Sequence, residues 1–325
     1  MIKKTEGNVS SSSSRTIGII GNSIPGVIQE CIIAAGKDKE WRVIDIETTP
    51  DHADENPLTK RARLLLRCIA AVPKMARVDV VMIVFVNRFA SWYAKVSRIL
   101  KKKTVYYWLG SDVHDLTRGA LHYNPKNAPD LHLAYSEGNI EELRQFDIEA
   151  DCVVCPTCIV PKRAKMPERH AILLSIPDNR RFFYGYKDMM RLIDAYPNVP
   201  FHIVRSNHPE YYPQKNAVFE GMLSKEGMRE LLEKVSIVIR WPEHDGTSLM
   251  LSEAAMKGKY IISKNPFPCG EVVGSYQELC EALDRTLGQT PTPQTDNHIY
   301  ALNNLSQSAG GEALTYYLDK LVRAD

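Results

Sequence analysis

SIVIRWPEHDGTSLMLSEAAMKGKYIISKN, which spans residues 236–265, is the most informative segment for the architecture of this chain. It opens with an apolar run typical of a buried strand, and a polar loop, Glu243 to Gly246, follows that run. A helical pattern begins at about Ser248, and Gly258 stands where the helix is expected to end. The apolar KYIIS after it predicts a second strand. A strand, a helix and a strand in this order predict two parallel strands joined by a crossover helix.

The same alternation of short β-branched runs with helical segments occurs in two series along the chain. The first runs from Thr16 to about Phe146, and the second begins at His170, after a basic, proline-rich segment without periodicity. A chain of 325 residues is longer than one hydrophobic core usually serves. We therefore predict an α/β protein with two doubly wound, Rossmann-like domains that face each other across a cleft.

Shifts in composition place the predicted domain boundaries. Residues 1–15, with a serine run and little apolar content, are expected to be a flexible tail. The remaining segments are an N-terminal domain (16–160), a linker (161–169), a C-terminal domain (170–290), and a linker followed by closing helices (291–325). Gly310 and Gly311 are expected to lie between the two closing helices.

The overall composition excludes several classes of protein. With 44% hydrophobic and 25% charged residues, the chain is neither disordered nor fibrous. No apolar run approaches the roughly 20 residues of a membrane span, and the first residues lack the apolar stretch of a signal peptide. Seven scattered cysteines do not form a disulfide framework. We expect a cytoplasmic protein with reduced thiols.

The polar residues between the strand and the helix of residues 236–265 are the best candidates for a binding site. In doubly wound domains, ligands bind outside the carboxyl ends of the strands. The backbone N–H groups of Gly246, Thr247 and Ser248, at the helix start, form an anion site suited to phosphate. Asp245 and Glu253 lie about two helical turns apart, so both carboxylates can line one wall of the cleft. Carboxylates accept paired hydrogen bonds from vicinal hydroxyl groups, as in the ribose of a nucleotide.

Asp245-Gly246-Thr247-Ser248-Leu249-Met250-Leu251-Ser252-Glu253-Ala254 resembles the donor-binding motif of retaining GT-B glycosyltransferases, in particular family 4. The usual form of that motif is E-G-x-P-x-x-x-x-E-A, and the downstream Gly258 and KYIISKN are similar to the family's next strand. In the family the first acid contacts the donor sugar and the second contacts the ribose. The resemblance therefore assigns these two roles to Asp245 and Glu253. Two positions depart from the motif, because Asp245 replaces Glu and Ser248 replaces Pro.

The resemblance implies a retaining, hexosyltransferase-like enzyme with the GT-B fold. Such an enzyme moves a sugar from a nucleoside diphosphate sugar to an acceptor hydroxyl, here in the synthesis of a bacterial surface polysaccharide or glycolipid. It implies neither a cofactor nor a metal ion. Two alternatives stay open: a sugar-nucleotide 2-epimerase of the same fold, and a degenerate, non-catalytic partner protein. A nicotinamide oxidoreductase is excluded, since Gly18, Gly21 and Gly26 do not form G-x-G-x-x-G.

Positive charge for the donor diphosphate is expected after the first strand of the C-terminal domain. The family has an Arg and a Lys there, and a forked guanidinium suits a leaving diphosphate. Arg180 or Arg181 matches the Arg, although an ordinary solvated basic turn fits both residues as well. Tyr184 stands at the position of the Lys, so Lys187 or Arg205 is the candidate for the second cation.

Two further segments resemble family loops around the donor base and the acceptor. Phe219 to Leu223 is similar to the loop that packs on the nucleobase, which places the base beside Gly221, Met222 and Leu223. On the acceptor side the matching positions are Gly21, Asn22 and Gly26 after the first strand, and Gly110 and Asp112 in WLGSDVHDL, where Leu109 replaces a family His. Asp112 and His114 are candidate catalytic residues near the same strand end. Plain βα turns and an exposed loop histidine are the alternatives.

Between Lys60 and Lys103 the chain has twelve Lys or Arg residues and one acid, Asp79. Phe89, Trp92 and Tyr93 are interspersed with these cations. Cationic clusters with aromatic residues attach proteins to anionic membranes. The segment therefore suggests a lipid-linked acceptor at the inner face of a membrane, although ordinary solvated helix faces explain it equally well. No nucleic-acid-reading motif accompanies it.

Cys152, Cys155 and Cys158 form C-x2-C-x2-C, which in isolation suggests a metal site. The pattern of this segment instead predicts a strand followed by a loop, and the sequence nearby contains no apparent fourth ligand. We therefore expect no metal here.

Overall fold

The structure is a computed structural model that describes residues 14–21, 25–47, 57–155, 162–207 and 215–324. Within these ranges the chain forms two sheets of six parallel strands each, one per predicted domain. The strands of the first sheet are β1 (Arg15–Ile20), β2 (Trp41–Glu47), β3 (Val80–Val84), β4 (Lys103–Trp108), β5 (Leu131–Ala134) and β6 (Asp151–Cys152). Its helices are α1 (Pro25–Ala34), α2 (Pro57–Met75), α3 (Ala90–Ile99), α4 (Ser111–Thr117) and α5 (Glu137–Arg144).

The second sheet is built in the same way. Its strands are β7 (Ile172–Ser175), β8 (Phe201–Val204), β9 (Ala217–Gly221), β10 (Ile237–Arg240), β11 (Tyr260–Ser263) and β12 (Glu271–Val272). The accompanying helices are α6 (Tyr186–Ala195), α7 (Lys225–Lys234), α8 (Leu249–Met256), α9 (Tyr276–Leu287), α10 (Thr295–Asn304) and α11 (Gln307–Arg323).

Both sheets are doubly wound, which confirms the predicted fold class. The strand orders are β2-β1-β3-β4-β5-β6 and β12-β11-β10-β7-β8-β9. The direction of winding therefore reverses between β1 and β3 in the first sheet, and between β7 and β10 in the second. Every residue of β3, β7 and β10 is buried, because helices cover both faces of each sheet. The reversal points place the open crevices of the two sheets at their carboxyl edges.

The end of the chain differs from the sequence prediction. The predicted break at Gly310 and Gly311 is wrong, because the break between α10 and α11 falls at Leu305 and Ser306, and both glycines lie inside α11. A Cβ at Gly310 would overlap the carbonyl oxygen of Val154, and one at Gly311 would overlap that of Cys31. These glycines therefore permit close packing of α11 rather than ending a helix.

Helix α11 packs on the N-terminal domain, although it is the last element of the chain. Leu314 and Leu318 belong to the core cluster of β1, α1 and β4. The carboxylate of Asp319 accepts hydrogen bonds from Arg15 Nη1 at 2.7 Å and from Trp41 Nε1 at 2.9 Å. The chain thus passes from one domain to the other twice.

The first connection between the domains also contacts the segment that joins α9 to α10, which stays with the second sheet because α10 packs on α8. Arg163, in the first connection, donates from Nη2 to Pro293 O at 3.2 Å and to Thr295 Oγ1 at 2.8 Å. The segment before α10 is therefore attached to the first connection, and the chain returns to the N-terminal domain only at Leu305 and Ser306.

Gly311→Ala is expected to lower the free energy of unfolding by about 1–3 kcal/mol, because the added methyl group forces α11 away from α1. Thermal unfolding monitored by circular dichroism measures this loss. Gly227→Ala is the matched control, because Gly227 is also helical and a Cβ there would make only ordinary contacts with Leu223 and Ser224. The melting temperature of this variant should not fall below that of wild type. Equal melting temperatures for wild type and Gly311→Ala would contradict the close packing.

Candidate active site

The start of α8 lies at the carboxyl edge of the second sheet, directly after β10. Ser248 caps the helix, and its Oγ accepts a hydrogen bond from Leu251 N at 3.5 Å. The backbone N–H groups of residues 246–250 have no hydrogen-bond partner within the described ranges. At its other end the helix stops at Gly258, whose φ of +69° favours glycine. Helix α8 therefore presents a row of free donors and the positive end of its dipole to the space between the domains.

Glu253 lies in the second turn of α8 and is half-buried. Burial raises the pKa of its carboxyl above the ordinary value, while the positive charges of Arg229, Lys225 and Lys257 act in the opposite direction. Its side chain forms no hydrogen bond or ion pair with any residue that the structure describes. A carboxylate that is partly desolvated, surrounded by cations and unpaired is suited to accept hydrogen bonds from a ligand.

Asp245 is engaged in a buried ion pair that the sequence did not reveal. Arg240, the last residue of β10, donates from Nε to Asp245 Oδ2 at 2.6 Å and from Nη2 to Oδ1 at 3.3 Å. Only 9% of Arg240 is exposed, and its guanidinium lies 4.8 Å from the ring centroid of Tyr184. Asp245 therefore orients Arg240 in this structure, and the predicted contact of Asp245 with a donor sugar stays a prediction.

The other predicted donor residues follow neighbouring strands of the second sheet. Those strands are β7 for Arg180 and Arg181, β8 for Arg205, and β9 for Met222 and Leu223. Arg180 is exposed and stacks on Phe183, with 4.4 Å between the guanidinium and the ring centroid. Gly221 ends β9, Met222 is 72% exposed, and Lys187 is an exposed residue of the first turn of α6. The positions suit ligand contact at this edge, and the roles stay predictions.

The residues predicted for the acceptor side follow strand ends of the N-terminal domain, and their roles stay predictions. Gly21 follows β1, Gly26 lies in the first turn of α1, and Gly110 precedes α4. Asn22 falls outside the described ranges. A methyl group added at Gly110 would lie 3.8 Å from the Cα of Gly246, so the backbone after β4 approaches the backbone before α8.

Asp112 is fully buried and belongs to a helix, α4, where the sequence predicted a loop. Its Oδ1 accepts hydrogen bonds from the backbone N–H groups of Leu109, Gly110 and Val113 at 2.9, 2.9 and 3.1 Å. Its Oδ2 accepts one from Val86 at 2.8 Å. Burial raises the pKa of this carboxyl, although the four bonds oppose that shift. The side chain holds the ends of β3 and β4 together, and its predicted catalytic role on the acceptor side stays a prediction.

Direct contacts join the two domains around the start of α8. Thr247 Oγ1 donates to the carbonyl oxygen of Tyr135 at 2.8 Å. His244 Nε2 lies 2.8 Å from Glu142 Oε1 on α5, and the ring of His244 stacks on that of His114, with 4.6 Å between centroids. We call His114, Glu142 and His244 the junction cluster.

The two imidazoles of the junction cluster have opposite pKa shifts. The hydrogen bond to Glu142 raises the pKa of His244. Burial lowers the pKa of His114, and the positive charges of His244 and Arg118 add to that effect. Near neutral pH the stack therefore pairs a neutral His114 with a His244 that retains its proton more readily than an ordinary histidine.

The contribution of the junction cluster to stability is expected to peak near the ordinary histidine pKa of about 6.5. The contribution of His244, whose pKa is raised, is complete below that pH and is lost as the pH rises through the raised value. That of His114, whose pKa is lowered, is complete above it and is lost as the pH falls. Asp115, Arg118 and Asp245 are the other charged groups nearby.

Melting temperatures measured between about pH 5 and 8 test this expectation. His244→Gln should remove the alkaline part of the dependence, and His114→Gln the acidic part. A wild-type profile identical to both variants would contradict it.

The structure describes two of the three cysteines of the C-x2-C-x2-C segment. Cys152 is half-buried, Cys155 is buried beside Cys31, and Cys158 lies outside the described ranges. No group of three His, Cys, Asp or Glu side chains in the described part could hold a metal ion. Phe89 and Trp92 pack against the core of the N-terminal domain, so they are less available to a membrane than the sequence suggested.

Among the helices of the described ranges, none combines the length and apolar character needed to cross a bilayer.

Sequence reasoning missed Arg240, Glu142 and Asn139, and it treated His244 only as part of a polar loop. Arg240 ends an apolar strand, and a charged residue at a strand's carboxyl end is a usable signal. Glu142 and Asn139 lie on an ordinary amphipathic helix. Their position at the junction depends on how the domains are arranged, which no local pattern encodes.

No protein-family model and no curated protein sequence matches this chain. Solved structures do. The apo form of the lipopolysaccharide outer core galactosyltransferase WaaB has 16% identity and a TM-score of 0.67, with 94% of this chain and 99% of that chain covered. Sucrose-phosphate synthase from Thermosynechococcus elongatus has 12% identity and a TM-score of 0.69, with 96% and 100% covered.

UDP-GlcNAc 2-epimerase from Neisseria meningitidis, bound to UDP-GlcNAc, has 12% identity and a TM-score of 0.58, with 94% of this chain and 100% of that chain covered. At these identities the likeness establishes the fold. The chain has the GT-B architecture.

Proposed function

We propose that this protein transfers a sugar from a nucleoside diphosphate sugar to an acceptor hydroxyl with retention of configuration. The observation that supports this proposal is α8, with five consecutive unpaired N–H groups at its start and the unpaired carboxylate of Glu253 in its second turn. The N–H groups suit a diphosphate, and the carboxylate suits the ribose diol. The resemblance of residues 245–254 to a donor-binding motif likewise assigns the ribose contact to Glu253.

In the proposed reaction, the bond between the anomeric carbon and the diphosphate oxygen breaks while the acceptor oxygen bonds to that carbon. The acceptor proton passes to the leaving phosphate on the same face of the sugar. Negative charge grows on the diphosphate during this step, and fixed donors at the α8 N-terminus, with Arg180 or Arg181, stabilise it. These groups supply the positive charge, so we propose that the transfer needs neither a metal ion nor a cofactor.

The acceptor is proposed to be a carbohydrate or a lipid-linked carbohydrate of a bacterial surface polysaccharide or glycolipid. The likeness to a lipopolysaccharide galactosyltransferase supports this class of acceptor. Lys95 and Lys101 are exposed and Ile99 is 71% exposed on and just after α3, which supports contact of the N-terminal domain with an anionic membrane.

Thermal unfolding with UDP, GDP, ADP, CMP and their sugar conjugates tests the donor site. A ligand at about 100 times its dissociation constant stabilises by about 2.7 kcal/mol, which raises the melting temperature by several degrees. We expect one nucleoside diphosphate and its conjugate to do so. If no nucleotide shifts the transition, the non-catalytic partner protein becomes the better interpretation.

A sugar-nucleotide 2-epimerase is the second candidate, and the junction cluster is the observation that favours it. His114 and His244 have pKa values shifted in opposite directions, as expected of an acid and a base. Incubation with the stabilising nucleotide sugar and no acceptor separates the two functions. Epimerised sugar indicates the epimerase, whereas consumption only with an acceptor indicates the transferase.

A further inference from the structure

Helix α5 presents two polar side chains to the junction between the domains. Asn139 and Glu142 are three residues apart, so they lie on the same face of the helix. Asn139 is 2% exposed and packs beside the backbone on both sides of the junction. A methyl group added at Gly246 would lie 3.5 Å from Asn139 Oδ1, and one added at Gly110 would lie 3.7 Å from Asn139 Nδ2.

Each of these side chains has a buried atom without a hydrogen bond. Asn139 Nδ2 and Glu142 Oε2 are buried and have no partner among the described residues. The other carboxylate oxygen of Glu142, Oε1, is occupied by His244. Buried polar atoms in native proteins are nearly always paired, since an unpaired one costs free energy. One free donor and one free acceptor on the same helix face indicate a place where a ligand supplies the missing partners.

The chemistry of these two atoms selects a class of ligand. A hydroxyl group both accepts and donates, so adjacent hydroxyls can accept from the Asn139 amide and donate to the Glu142 carboxylate. A phosphate offers only acceptors and would be repelled by Glu142. An apolar group would leave both atoms unpaired.

We propose that Asn139 and Glu142 bind hydroxyl groups of the sugar carried by the nucleotide donor, and that they thereby select that sugar. This inference rests on the proposed function. If the free N–H groups of residues 246–250 hold the diphosphate, the sugar bonded to it lies near Gly246, and Asn139 is beside Gly246. His244 orients the carboxylate of Glu142 from the opposite domain, so the subsite is complete only when the domains are in contact.

Binding of the nucleoside diphosphate and of its sugar conjugate to the same protein, measured by titration calorimetry, tests the inference. We expect wild type to bind the conjugate more tightly than the bare diphosphate. Asn139→Leu, in which the side chain has nearly the same volume, should lower the affinity for the conjugate about 10- to 100-fold. It should leave the affinity for the bare diphosphate unchanged.

A series of conjugates that each lack one sugar hydroxyl identifies the group that is read. For wild type, one deoxy conjugate should bind about as weakly as the full conjugate binds to Asn139→Leu. Asn139→Leu itself should bind that deoxy conjugate and the full conjugate with equal affinity, as in a double-mutant cycle. Glu142→Gln should bind the full conjugate more weakly in the same way, and the matching deoxy conjugate should lack a neighbouring hydroxyl. Glu141→Gln, an exposed residue of the same helix, is the matched control and should bind like wild type.

The outcomes distinguish a failure of the proposed function from a failure of the proposed sugar subsite. If wild type binds no nucleoside diphosphate at all, the proposed function fails. If it binds the diphosphate but Asn139→Leu keeps wild-type affinity and hydroxyl discrimination, only the inference about the subsite is overturned. Should Asn139→Leu not fold, Asn139→Ala provides the same comparison in a smaller side chain.

Discussion

Glu253→Ala is expected to reduce kcat/KM for sugar transfer by about 100-fold or more, which corresponds to about 2.7 kcal/mol of transition-state stabilisation. In the proposed complex the carboxylate accepts two hydrogen bonds from the ribose, and bonds to a charged acceptor are each worth about 1.5–3 kcal/mol. Burial has already removed part of the water around this group, so alanine offers no substitute. Initial rates at donor concentrations well below KM measure the effect.

Two variants control this experiment. Glu253→Gln keeps the size of the side chain and one acceptor oxygen, so its loss should be smaller than that of alanine. Glu230→Ala removes an exposed carboxylate from α7 and should leave the rate unchanged. If Glu253→Ala retained full activity at saturating donor and an unchanged KM, the donor would have to bind elsewhere.

Asp112→Ala is expected to have the largest effect on stability, a loss of about 4 kcal/mol in the free energy of unfolding. Four backbone N–H groups would lose their shared acceptor at a fully buried position. Each buried donor left unpaired costs about 1–3 kcal/mol, and local rearrangement recovers part of that sum. Denaturant unfolding monitored by tryptophan fluorescence measures the loss.

Asp112→Asn separates hydrogen bonding from burial at this site. Its carbonyl oxygen can retain the bonds from Leu109, Gly110 and Val113, while its amide faces Val86, so we expect roughly a quarter to half of the alanine effect. Asp115→Ala, on the same helix but partly exposed, should be nearly neutral. If Asp112→Ala unfolds at the same denaturant concentration as wild type, the four bonds do not stabilise the fold.

The sequence was sufficient to predict the doubly wound fold because its signals are local. Apolar strands such as β3 and β10 are buried on both faces, and that burial requires runs of apolar residues that are readable without a structure. The start of α8 was predicted for the same reason, since Ser248 and Gly258 mark the two ends of one helix. Such signals need no knowledge of distant segments.

The partners of the candidate residues could not be predicted, because they depend on contacts between distant segments. Asp245 and Asp112 were both assigned to ligands, yet one pairs with Arg240 and the other binds four backbone N–H groups. The sequence pattern around a carboxylate is the same whether the carboxylate binds a ligand or pairs with other residues of the protein. The break before α11 was misplaced because glycine marks close packing as well as helix ends.

The return of α11 to the N-terminal domain makes that domain discontinuous in sequence. A protein cut within residues 291–294 would lose Leu314 and Leu318 from the N-terminal core and leave α1 without its neighbour. Chimeras that exchange the second sheet and its helices between proteins of this fold therefore need two junctions, one on each side of residues 170–305. A fusion at a single junction would pair a foreign last helix with the native α1, where the fit depends on the two glycines of α11.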